Sequence, residues 1–218
     1  MSGSVPISLA VEDELSEHLL RALLRQSGRG FVIGAVYGKR GAAYLKCRLR
    51  GFNLAARHST WLVLTDLDAR ECVPTLIQEW FACPLAEYPA RRQPNLLFRV
   101  AAREAEAWVM ADREQFAGFL GIATKAVPVG MDAVDDPKGL LLRLAAQSRN
   151  RQVRDDLLPR PGERRTIGPN YNGRLGEFLH SRWRAKAACV HSNSLARAWK
   201  RLIAFHPTGG SSGAGLPD

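Results

Sequence analysis

Trp61-Leu62-Val63-Leu64-Thr65-Asp66-Leu67-Asp68 decides the fold. Four apolar residues run without interruption, the run stops abruptly at an acid, and a second acid follows two positions later. A short apolar run of this kind reads as a strand buried on both faces. Residues two apart in an extended segment point the same way, so Asp66 and Asp68 would face one ion together while Leu67 faces the core.

Comparable runs stand on either side. Ile7 to Val11 leads into Asp13 to Gln26, where Leu15, Leu19, Leu20, Leu23 and Leu24 recur at helical spacing. Phe31 to Tyr37 is β-branched and aromatic and ends at the turn Gly38-Lys39-Arg40-Gly41, after which Tyr44, Leu45, Leu49 and Phe52 predict another helix. Val73 to Phe81 reads as helix and Leu96 to Val100 as the fourth strand. Strands alternating with helices predict right-handed crossovers and an α/β fold, a mainly parallel sheet flanked by helices.

From Arg103 onward the pattern turns helical, over Glu104 to Ala111, Arg113 to Leu120 and Gly139 to Gln147. A long loop is expected over 160–173, then helices near Leu175 to Trp183 and Leu195 to Phe205. The expected organisation is an α/β domain over 5–145, a basic helical C-terminal extension over 146–206, and a disordered tail over 207–218, which is mostly Gly, Ser, Pro and other small residues.

Composition excludes several classes. No apolar run approaches the roughly 18 residues of a membrane span, and Met1 to Pro6 lacks the form of a leader, so the expectation is a cytoplasmic protein without a membrane partner. Cys47, Cys72, Cys83 and Cys189 have neither zinc-site nor disulfide-framework spacing. The net charge of +10 is concentrated: residues 143–201 carry 14 Lys and Arg against 4 Asp and Glu. Such a segment is a footprint for a polyanion, or else a solvated helical surface. Trp183, Trp199 and Tyr171 lie within it, either to stack on bases or to fill the core.

Acids follow the strands. Glu12, Asp13 and Glu14 come after the first, Asp66 and Asp68 after the third, Glu104 and Glu106 after the fourth. Side chains at the carboxyl ends of parallel strands converge in one crevice. Carboxylates gathered there repel one another unless a hard cation such as Mg²⁺ or Mn²⁺ neutralises them.

Taken together, Val11-Glu12-Asp13-Glu14-Leu15-Ser16-Glu17, Tyr37-Gly38-Lys39-Arg40-Gly41, Leu62-Val63-Leu64-Thr65-Asp66-Leu67-Asp68 and Arg103-Glu104-Ala105-Glu106-Ala107-Trp108 resemble a bacterial group of TOPRIM-like proteins related to the overcoming-lysogenization-defect nucleases. The resemblance covers about residues 7–145 and reaches Gly168-Pro169-Asn170-Tyr171. It implies a TOPRIM-like sheet in which Glu12 is a metal ligand or general base, Asp66 and Asp68 hold metal, and Glu106 is the further acid, with Glu104 as its alternative. Lys138 resembles a Pro-Lys element of the same group. Many TOPRIM domains have Gly after the first Glu; here Asp13 stands there, to crowd the site or to add a ligand.

Lys39, Arg40, Lys138, Arg164 and Arg165 are the candidate contacts to substrate phosphate. Gly34 to Arg40 is not a nucleotide-hydrolysing P-loop, because its glycines are too close and Arg40 stands where Ser or Thr should hold Mg²⁺. An aspartyl phosphatase is disfavoured because Ala69-Arg70 follows the Asp-x-Asp. The expected function is that of a metal-dependent nuclease acting on DNA or RNA. The resemblance implies an effector of an anti-phage or toxin-like system with an ABC-type ATPase as partner, and leaves a homo-oligomer open. The alternative is a non-catalytic binding or regulatory subunit of such an ATPase complex.

Overall fold

In the computed structural model, which describes residues 4–70, 72–82 and 91–208, each of the four apolar runs is a strand, and the leucine pattern after Asp13 and the apolar pattern after Gly41 are helices. The order is β1 (Val5–Val11), α1 (Glu14–Gln26), β2 (Phe31–Gly38), α2 (Gly41–Ala55), β3 (Thr60–Asp66), α3 (Val73–Phe81), β4 (Leu96–Ala101), α4 (Ala105–Met110), α5 (Arg113–Leu120), α6 (Pro137–Ala146), α7 (Arg151–Leu157), α8 (Tyr171–Ser181), α9 (Ala185–Ala188) and α10 (Asn193–Ile203). α7 and α9 are beyond what periodicity predicts. α7 buries only Val153 and Leu157, one i,i+4 pair, too short a pattern to stand out. Residues 209–218 of the expected tail lie outside the described residues. Thr208 is held by Asn95, whose Oδ1 accepts its backbone N–H at 2.8 Å.

The four strands form one sheet, order β2-β1-β3-β4, and every pairing is parallel. Alternation along the strands divides the core in two. Leu9, Val11, Leu62, Leu64, Leu97 and Ala101 face a cluster completed by α1 and α4 to α10. Ala10, Trp61, Val63, Phe98 and Val100 face a second cluster under α2 and α3. β3 is buried along its whole length, which accounts for its unbroken apolar run.

The basic C-terminal helices do not stand apart. Trp183 is buried, its Nε1 donating to the Trp108 carbonyl at 3.2 Å, and Trp108 Nε1 donates to Ser194 Oγ at 2.7 Å. Trp183 and Tyr171 are therefore core residues rather than surfaces on which bases stack, and Trp199 packs partly against the same core.

Candidate metal centre

β2 lies on one side of β1, while β3 and then β4 lie on the other, so the connections change direction between β1 and β3. In open α/β sheets, ligands bind outside the carboxyl ends of the strands at this switch point. The register determines what stands there. Val11 pairs with Leu64 and Asp66 with Ala101, so Glu12, Asp66 and the residues leaving β4 emerge along one edge.

Glu12 is fixed before any ligand arrives. Its Oε1 accepts the Asp66 backbone N–H at 2.9 Å and the Thr65 hydroxyl. Burial raises its carboxyl above the ordinary range; those two hydrogen bonds oppose the shift, and Asp68 and Asp13 add to it. Gly38 makes the approach of the next strand possible. Its φ is +111°, and a Cβ there would fall 1.9 Å from the Val11 carbonyl oxygen.

Asp66 ends β3 and is buried, with Oδ1 lacking any hydrogen-bond partner among the described residues. Burial raises its pKa well above the usual value, and Glu12, Glu106, Asp13 and Asp68 push it in the same direction. The expected alternation holds through Leu67, which is buried, and ends at Asp68. There φ is +52°, so Asp68 turns out of the strand line and its half-exposed carboxylate lies 3.5 Å from Arg70. Asp is among the few residues that adopt this left-handed conformation readily.

Glu106, in the first turn of α4, is buried. Its Oε1 accepts the Tyr171 hydroxyl at 3.0 Å and lies 3.8 Å from Lys138 Nζ. Burial pushes its carboxyl up to about 7 even though Lys138 opposes the shift. Glu104 is engaged elsewhere, its Oε2 accepting the Lys138 backbone N–H at 2.8 Å. Of the two, Glu106 is the one whose charge bears on Asp66. Asp13 caps α1, accepting the Ser16 N–H at 2.8 Å with an extended φ of −146°, so no glycine is required there.

The candidate phosphate contacts divide. Lys138 belongs to the acid cluster through Glu106. Lys39 adjoins it but is paired with Glu17 at 2.6 Å, and Arg40 lies over the Tyr44 ring. Arg165 lines a cavity of about 410 Å³ together with Glu14, Gly168, Pro169 and Tyr171, and Arg164 is exposed on the same loop.

Two residues that bond the site's acids, Thr65 and Tyr171, are not among the candidate site residues read from the sequence. The trace of Tyr171 is the motif Gly168-Pro169-Asn170-Tyr171. A Cβ on Gly168 would sit 2.3 Å from the Asp156 carbonyl oxygen, so only glycine lets this segment close against α7 and deliver Tyr171 to Glu106.

In this conformation no three His, Cys, Asp or Glu groups among the described residues form a ready-made cation site. The donor set nevertheless fits a hard cation. It is all carboxylate oxygen, one buried oxygen of Asp66 has no partner, and the mutual repulsion of the acids is what a cation relieves.

The fold and the crevice define an α/β protein with a carboxylate cluster at the switch point of a parallel sheet. No family model matches the chain, and no curated protein matches it. Among solved structures it is similar to the C-terminal region of the Burkholderia pseudomallei OLD protein, at 17% identity and a TM-score of 0.43, over 90% of this chain and 96% of that one. Among the described residues, no helix is long and apolar enough to cross a membrane.

Proposed function

We propose that the protein is a metal-dependent phosphodiester hydrolase acting on nucleic acid. The observation that carries this reading is the buried, unpartnered Asp66 oxygen at the switch point, with the Glu12 carboxylate hydrogen-bonded to the Asp66 N–H beside it and Glu106 close enough for its charge to bear on Asp66. Glu12, Asp66, Asp68 and Glu106 would hold Mg²⁺ or Mn²⁺. Bound there, the ion supplies Lewis-acid activation of water and stabilisation of the leaving oxygen.

The chain's own groups do the rest. The Thr65 hydroxyl and the Asp66 N–H orient Glu12, leaving its second oxygen to accept a proton from the attacking water. Tyr171 and Lys138 orient Glu106, and Lys138 sets a positive charge at the edge of the acids, where a substrate phosphate would lie. The resemblance of the motifs extends this reading to an effector of an anti-phage or toxin-like system working beside an ABC-type ATPase.

The test is Mg²⁺- or Mn²⁺-dependent cleavage of mixed DNA and RNA by the purified protein, alone and with a co-encoded ATPase, against Asp66→Ala/Asp68→Ala. Cleavage that disappears in a folded variant supports the hydrolase and identifies its polymer. No cleavage in any combination, together with no metal-induced rise in Tm, overturns it in favour of a non-catalytic subunit.

A further inference from the structure

From His18 to Thr65 the chain has no acidic residue. In the middle of that stretch α2 carries Lys46, Arg48 and Arg50, with Arg40 at its N-cap and Arg57 just past its C-cap. All five are exposed. Among the described residues none of them forms an ion pair, whereas Arg143, Arg151, Arg174 and Arg184 of the C-terminal basic segment each hold a carboxylate.

Helical spacing sorts the α2 residues into two rows. Arg40, Tyr44 and Arg48 stand four apart on one flank, and the two guanidinium carbons lie 5.5 and 5.9 Å from the Tyr44 ring centroid. Lys46 and Arg50, also four apart, form the other flank. Between the rows run Ala43, Cys47 and Gly51, small and exposed, while Leu45, Leu49 and Phe52 on the opposite side are buried in the second core. The helix thus presents a low crest walled by cations. Like charges four apart in a helix repel, and that repulsion is relieved when an anion lies between the rows.

The start of α2 is tied to the crevice. Lys39 N–H donates to the Val11 carbonyl at 2.9 Å, and Gly41 N–H to the Glu12 carbonyl at 3.0 Å. The rows therefore begin beside Glu12 and lead away from it for about 22 Å, the length of a 15-residue helix.

We propose that the exposed face of α2 is the track on which a nucleic-acid backbone binds, its phosphates held between the Arg40–Arg48 and Lys46–Arg50 rows. This deepens the hydrolase reading and rests on it only for where the bound strand ends. The acid-free sequence and the absence of carboxylate partners among the described residues favour a polyanion over an acidic protein surface, because a continuous backbone spans both rows at once.

The experiment is fluorescence anisotropy of labelled single-stranded DNA, RNA and duplex DNA with the full chain in EDTA, across a range of NaCl concentrations. Arg40→Gln/Arg48→Gln and Lys46→Gln/Arg50→Gln are each expected to reduce the slope of log affinity on log salt by about 1.4 for a single strand or about 1.8 for a duplex. The corresponding Arg→Lys changes retain the slope, as does a charge-matched control, Lys125→Gln/Arg151→Gln. Because EDTA removes any cation from the crevice, binding is read apart from cleavage. If cleavage is never found but the α2 variants lose slope, the track stands and the hydrolase reading fails. Two results overturn the track: unchanged affinity and slope in the α2 variants, or equal loss in the control.

Discussion

The hydroxyl of Tyr171 donates to Glu106 Oε1 at 3.0 Å, joining the first turn of α8 to the first turn of α4 across 65 residues of sequence. Both groups are buried, and burial together with the Glu106 carboxylate raises the phenol pKa far above its ordinary value. Tyr171 therefore remains a hydrogen-bond donor at any working pH, a positioning residue and not a proton source.

Removing that hydroxyl has two expected effects. At about pH 8, above the raised value of Glu106, Tyr171→Phe loses a buried hydrogen bond to a charged acceptor, costing about 1.5–3 kcal/mol, read by urea denaturation. Freed to turn, Glu106 holds metal less well, and metal affinity or activity falls about tenfold. A variant with unchanged metal-induced stabilisation and unchanged turnover would remove Tyr171 from the site.

Asp112 is buried and accepts from the Arg184 backbone N–H at 2.8 Å, from Nε at 3.0 Å and from Nη2 at 2.8 Å. Arg184 is half exposed and also reaches Glu114 at 3.0 Å. The two partners are thus unequal. Arg184→Met strands a buried carboxylate and is expected to cost about 3 kcal/mol, whereas Asp112→Asn leaves an arginine that water and Glu114 can satisfy, costing about 1–2 kcal/mol. The order of the two denaturation midpoints checks this, and the reverse order would contradict the geometry.

How much of this was legible in the sequence follows from the range of each interaction. The strand runs and their terminal acids are local, so the parallel sheet and the places of Glu12 and Asp66 could be read from spacing alone. Asp68 departs from extended alternation because its N–H bonds to the Arg103 carbonyl at 2.8 Å, a contact made only once β4 is in place. Tyr171 reaches Glu106, and Glu17 captures Lys39, through tertiary contacts that leave no periodic trace. The charge reading located the basic excess near the C-terminus by counting. What counting misses is neutralisation, which on α2 does not occur among the described residues.

Gly38 tests whether the β1–β2 junction positions Glu12. Its left-handed φ of +111° leaves no room for a side chain, since a Cβ at this position would stand 1.9 Å from the Val11 carbonyl oxygen. Gly38→Ala is expected to cost on the order of 3 kcal/mol and to weaken metal-induced stabilisation, since Glu12 follows Val11 directly. A wild-type denaturation midpoint in this variant would show that the junction has slack the structure does not.

Asp66→Asn should stabilise the metal-free protein, with a definite pH dependence. Burial and four neighbouring acids raise the folded-state pKa of Asp66, while in the unfolded chain it is about 3.9. The folded state therefore holds the proton more tightly. The stability associated with the protonated carboxyl is fully present below about pH 4 and is lost as pH rises through the folded value. Asn keeps the shape without that titration. In EDTA the variant and parent should unfold at similar temperatures near pH 4, and the variant should gain progressively as pH is raised toward 8. Added Mg²⁺ should reverse the order by raising the Tm of the parent alone, because the cation relieves the repulsion that Asn has already removed. A variant less stable than the parent at pH 8 in EDTA would mean that the Asp66 carboxylate is satisfied in the folded state and that this crevice needs no cation to relieve it.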